Sequence, residues 1–362
     1  MCDVSSLITD VRRQDAFKGV SFTGYKKTAV LKEFTAAMKE GRVEPACYWS
    51  AELVCAGQLA DLWDTIIAFA AKYVHSANAL IFPYLEIRLS AFKDLVRGGF
   101  IGQELEMRNN APTRRLLAEI VSTICFSRKA HAIETVKIKK QEEFDMLSMS
   151  SRLKAPDMSY AARFMKEDDA QELLVAMNEL AYHVSMKSRN AMLACYWIEW
   201  IIEFESLCRK KKQTCDCARR SIGGVDDKYA KDPIWLVWEI LVEQLAERQK
   251  PGLTKVMRSL IGLFALRYTT GCKKKRKCLL YFAVSLLTSK VEMGGGLCSH
   301  KAEVGATVEK IGAIYHQVKK GEQAPKEDAM TMGVTSAQSS VERSATKLQI
   351  MSRLALTGTE HT

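Results

Sequence analysis

An all-α fold arranged as two related helical bundles is what this sequence predicts, and three features predict it. Apolar residues recur at three- and four-residue spacings along most of the 362 residues, the period of one buried helix face. The breaks between those stretches carry helix punctuation rather than hairpin turns. A run of rare residues, Ala-Cys-Tyr-Trp, occurs twice, at 46–49 and at 194–197.

Residues 1–24 read as an N-terminal segment and 25–155 as the first bundle. Pro45 precedes a helix, and Leu53, Val54, Leu59, Leu62, Trp63, Ile66 and Ile67 keep helical spacing through 50–70. Asn109-Asn110-Ala111-Pro112 opens another helix, continued by Leu116, Leu117, Ile120, Val121 and Ile124. The stretch 131–150 is the only place where a short strand is expected. Lys154-Ala155-Pro156-Asp157 reads as a linker, and 156–320 as the second bundle. There Leu173, Leu174, Met177, Leu180, Ala181 and Val184 mark one helix, and 191–208 a long apolar one. Asp232-Pro233 supplies a capping acid and a first-turn proline for a helix over 234–245. Pro251-Gly252 precedes helices over 253–268 and 278–289. Residues 321–362 form a linker followed by renewed periodicity over 341–356, read as a docking helix or a tail that orders on a partner.

The duplication extends loosely beyond its marker. Lys72-Tyr73 and then Tyr84-Leu85-Glu86 parallel Lys228-Tyr229 and Trp238-Glu239-Ile240. Arg115-Leu116-Leu117 parallels Arg258-Ser259-Leu260-Ile261. The order of these features is the same in both halves, and their spacing differs by insertions, mainly around 208–227. All six tryptophans are expected in the core, where aromatics of this size dominate burial.

Composition narrows the function classes. An apolar fraction of 48% with 26% charged residues excludes a disordered chain. The most apolar window, 191–202, is short for a membrane span and is interrupted and followed by Glu199, Glu203 and Glu205, so a buried helix is expected there. The first ten residues contain Asp3 and Asp10 and no apolar core of a signal peptide. Eleven cysteines, several inside apolar helices, are expected as reduced thiols of the cytosol or nucleus.

Catalytic motifs do not emerge. No phosphate loop, HExxH, GxSxG or EF-hand loop is present, and no cofactor is expected. His75, His131, His183 and His316 are scattered singly. Cys208, Cys215 and Cys217, with Cys272, Cys278, Cys298 and His300 further on, lack the tight ligand pairs of zinc knuckles. No metal site is therefore assigned, and the chain is expected to be no enzyme.

Charge carries the functional signal. Lys and Arg number 53 against 42 Asp and Glu, a net +11 that favours a polyanionic partner. Two runs concentrate it: Arg209-Lys210-Lys211-Lys212, after the helix 191–208, and Lys273-Lys274-Lys275-Arg276-Lys277, expected on a solvated loop between two helices. Beside phosphates such runs release counterions and bind without sequence preference. The second also has the composition of a nuclear-import signal.

The stretch CYWSAELVCAGQLADLWDTIIAFAAKYVHSANALIFPYL, with RNNAPTRRLLAEIVSTICFSRKAHA, resembles the helical collar region of clamp-loader-related AAA+ ATPases. Tyr48-Trp49, Gly57, Leu59 and Ser127-Arg128-Lys129 carry that likeness over roughly a quarter of the chain. It implies an oligomeric ring or docking module in DNA replication. With the ATPase domain missing, it carries no ATP chemistry. SAELVCAGQLADLW, EMRNNAPTRRLLAEI and ACYWIEWIIEFE also resemble uncharacterised proteins of nucleocytoplasmic large DNA viruses. This implies a viral protein of the cytoplasmic factory or nucleus, contacting nucleic acid and protein partners in a DNA-handling assembly. The alternative it implies is a structural or scaffold component of the virus particle.

Overall fold

The computed structural model describes residues 6–138, 144 and 149–323, and among them there are thirteen α-helices and no strand. In chain order these are α1 Lys27–Glu40, α2 Val43–Cys55, α3 Leu59–Phe69, α4 Ile81–Arg97, α5 Ala111–Phe126, α6 Ser159–Ala162 and α7 Leu174–Val184. There follow α8 Ala191–Lys210, α9 Ile234–Ala246, α10 Pro251–Ala265, α11 Cys272–Thr288, α12 Lys301–Glu309 and α13 Ile311–Lys319. The all-α expectation holds. Residues 131–138 run without regular structure, fastened by Ala130 N–H to Tyr73 O and Ile133 N–H to Lys72 O. The expected helix over 341–356 lies outside the described residues.

Local chemistry sets the helix starts. Asn110 accepts from Thr113 N–H and Asn190 from Leu193 N–H, each satisfying an orphan donor of the first turn. Asp232 Oδ1 accepts from Ile234 N–H in front of α9. Gly41, at φ 73°, ends α1 in the left-handed conformation that costs glycine least.

Four helices of each half show parallel contacts. α1 lies on α2 as α7 lies on α8; α2 meets α5 as α8 meets α11; α4 meets α5 as α10 meets α11. The two Ala-Cys-Tyr-Trp runs sit in α2 and α8, but in different surroundings. Tyr196 and Trp197 are buried, whereas Tyr48 and Trp49 are half-exposed, Trp49 lying edge-on to Tyr25. Trp49 thus departs from the expected core set; the other five tryptophans are buried.

The halves share one core. Phe82 of α4 stacks on Phe282 of α11 at 5.0 Å, and His75 tilts against the same ring. On α10, Ser259 Oγ donates to Glu86 of α4, and Gly262 lets the helices close, since a Cβ there would lie 3.0 Å from Glu86 Oε1. Within the stretch 156–320, α12 and α13 return to the first half and pack on α5 and α2. Ile311, Ile314, Tyr315 and Val318 supply the apolar face that takes them there. Tyr315 lies under the buried guanidinium of Arg114, 3.9 Å from its ring centre. The N-terminal segment is tied to the same corner, with Ile8 N–H donating to Asn109 Oδ1 and Asn109 Nδ2 to Ile8 O.

A shared core predicts one cooperative unfolding transition. Phe282→Ala is expected to cost about 3–5 kcal/mol and to move the whole transition. Urea unfolding followed by tryptophan fluorescence and by circular dichroism checks this; two separable transitions would contradict it.

Candidate polyanion-contact surface

The run Lys273–Lys277 does not form an inter-helix loop. It makes the first turns of α11, which begins at Cys272 rather than near 278. Cations at a helix N-terminus oppose the macrodipole, so the helix extends this far because carboxylates meet them. Lys273, 3% exposed, places Nζ 2.8 and 2.7 Å from the two oxygens of Asp232 and 2.9 Å from Glu205. Lys274 pairs with Glu203 at 2.6 Å and Lys277 with Glu199 at 3.1 Å. The guanidinium of Arg276 is buried, donating to Phe264 O, Leu266 O and Asp64 Oδ1. Lys275 is exposed and has no ion pair among the described residues. Four of the five expected contact cations are thus committed inside the chain. Tyr268 and Tyr281 complete the shell by donating to Asp232 and Glu199. Burial pushes the Lys273 ammonium below the ordinary lysine range, with Asp232 opposing.

The first run has another fate. α8 extends through Arg209 and Lys210, cations in the last turn, where the macrodipole favours them. Arg209 is paired with Glu205. Lys210, Lys211 and Lys212 are exposed, and none has an ion pair among the described residues. Lys212 has φ 58°, and Gln213 N–H returns to Cys208 O, so the turn folds back sharply.

Behind that turn Cys208, Cys215 and Cys217 are buried free thiols. Burial, then Cys208, raises Cys215; burial, then Asp169, pushes Cys217 up to about 12. No group of three or more His, Cys, Asp or Glu is placed to hold a metal among the described residues. His183 is engaged by Glu179 at 3.2 Å and Ser188 at 2.9 Å.

What anchors the long connection 211–233 is an arginine that sequence spacing does not single out. Arg220, buried, forks onto Asp169 at 2.6 and 2.8 Å and reaches Glu239 at 2.6 Å. Asp169 also accepts from the N–H groups of Lys166 and Ala218. Its carboxyl would be raised by burial alone; the bonds from Arg220 and the two N–H groups outweigh this and hold it below the ordinary aspartate range. Glu179 is lowered likewise, burial being outweighed by His183 and the N–H groups of Ala155 and Lys154.

Compared with known protein families, curated proteins and solved structures, the chain matches none. The likeness to the clamp-loader collar and to large-DNA-virus proteins rests on the quoted residues alone.

A carboxyl whose folded value lies below its unfolded value of about 4 contributes stability that is fully present above that value. That contribution is lost as pH falls through the folded value. Asp169→Asn is therefore expected to cost about 3 kcal/mol at pH 7 and to flatten the fall in stability on acidification. Urea midpoints from pH 7 to pH 3 check it; an unchanged acid slope would contradict the role given to Asp169.

Proposed function

We propose that this chain is a non-enzymatic helical docking module, built from two related helical bundles, that contacts nucleic acid through the end of α8. The observation that carries this reading is the projection of Lys210, Lys211 and Lys212 into solvent without a carboxylate partner among the described residues. The dipole of α8 accounts for cations in its last turn, but it leaves three adjacent ammoniums free to meet phosphates. In the second run Lys274 and Lys275 are exposed, and of these Lys275 has no ion pair among the described residues. Phosphate contacts of this kind position a protein on nucleic acid without reading sequence.

The docking reading is supported by how the polar groups are spent. His75 is tied to Ser76 Oγ and His131 O, His183 to Glu179, the buried acids Asp169, Asp232 and Glu199 to arginine, lysine or tyrosine donors, and buried Glu52 to Ser21 and Thr23. Each has a structural partner in place of a reacting one. The protein would act as a piece of an assembly on DNA, within the viral setting that the sequence likeness suggests.

Fluorescence anisotropy with duplex and single-stranded oligonucleotides across salt tests it. Three neutralised phosphates give a slope of roughly −3 in log affinity against log salt for duplex DNA. The triple variant K210E/K211E/K212E is expected to abolish binding at physiological salt, and Lys275→Glu to weaken it less. Affinity that ignores salt, or that survives the triple variant, would overturn the reading.

A further inference from the structure

A second set of cations converges at the other end of α11, drawn from residues distant in sequence. There the C-termini of α7 and α11 approach the junction of α9 and α10 around a cavity of about 300 Å3. Arg189, Arg248 and Lys250 line it with Glu247, and Met186 and Leu286 give it apolar wall. Arg248 is fixed by its backbone partners: Nη2 donates to Val184 O at 2.6 Å and Nη1 to Leu287 O. Arg189 reaches Thr288 O at 3.4 Å.

The charges do not balance. Each helix C-terminus presents about half a negative charge, so two present about one. Three cations face them. Glu247, the carboxylate of the wall, is already paired with Arg163. About two positive charges are left over on that count. Arg248 Nε, moreover, is buried without a hydrogen-bond partner among the described residues. Burial, and then the like charge of Arg189, push Arg248 below the ordinary arginine range, with Glu247 opposing.

We infer that this cavity binds a phosphate monoester, its dianion held by Arg189, Arg248 and Lys250 and its apolar part laid against Met186 and Leu286. Guanidinium forks match phosphate oxygens geometrically. A dianion neutralises the excess, where a monocarboxylate meets half of it. The volume lies at the lower end of small-molecule sites. Met186, 65% exposed and unbranched, can fold over an apolar group. The length of α11, about 25 Å by its rise per residue, separates this site from the lysines at the end of α8. The inference therefore stands apart from the nucleic-acid reading.

Calorimetric titration of the full chain with phenyl phosphate, inorganic phosphate, benzoate and phenol tests it. Phenyl phosphate is expected to saturate one site per chain, inorganic phosphate and benzoate to bind several-fold more weakly, and phenol not at all. Arg189 and Lys250 are exposed, so Arg189→Ala and Lys250→Ala keep the core intact. Each is expected to weaken phenyl phosphate about tenfold, while K210E/K211E/K212E leaves the titration unchanged. The absence of saturable binding at low salt, or equal binding by the Arg189 and Lys250 variants, would overturn the site. Benzoate binding as tightly as phenyl phosphate would overturn the assignment to a dianion.

Discussion

The start of α11 is where the electrostatics of the fold is decided. Helix N-termini favour acids, yet this one opens with Lys273, Lys274, Lys275, Arg276 and Lys277. It forms because Glu199, Glu203 and Glu205 of α8 lie alongside and meet Lys277, Lys274 and Lys273 in antiparallel order. Asp232 and Asp64 close the remaining sides. Buried ion pairs add little net stability against an apolar replacement, but a member left without its partner costs about 3–5 kcal/mol. The ladder therefore acts on register. Any slip of α8 along α11 strands a charge out of water, so the pairing of these two helices is set by charge as well as by volume. Asp232 ties the ladder onward, since it also accepts the first N–H of α9 and the hydroxyl of Tyr268.

Much of the architecture was legible in the sequence, and the reason is periodicity. α2, α3, α5, α7, α8 and α9 each bury a face whose apolar spacing appears directly in the chain. Their starts carry the residues that physical chemistry requires there, as at Asn110, Asn190 and Asp232. What was not legible depends on partners distant in sequence. Nothing near 311–318 says that this apolar stripe covers α2 rather than the adjacent half. Trp49 belongs to a run whose twin is buried, and only the packing of Tyr25 and Tyr48 shows that it sits at an edge.

Charge was the least legible property. Five consecutive cations read as a solvated loop because like charges repel unless something answers them. The answering carboxylates lie 41 to 212 positions away. The opposite error is instructive too. Arg189, Arg248 and Lys250 never form a run, yet two inter-helix connections bring them to one cavity whose carboxylate is already taken. A cluster in sequence became a staple, and residues scattered in sequence became a cluster. Lys210 to Lys212 is the case where both descriptions agree, because the end of a long helix carries its last residues away from the core.

The internal neutralisation of α11 is tested most directly by lysine footprinting of the folded chain. Brief acetylation followed by peptide mapping reads each ammonium separately. Lys273, buried between Asp232 and Glu205, is predicted to label far more slowly than Lys275, Lys210, Lys211 and Lys212, with Lys277 intermediate. Labelling of Lys273 at the rate of Lys275 would mean that the cations face solvent after all, and would contradict the account at its base.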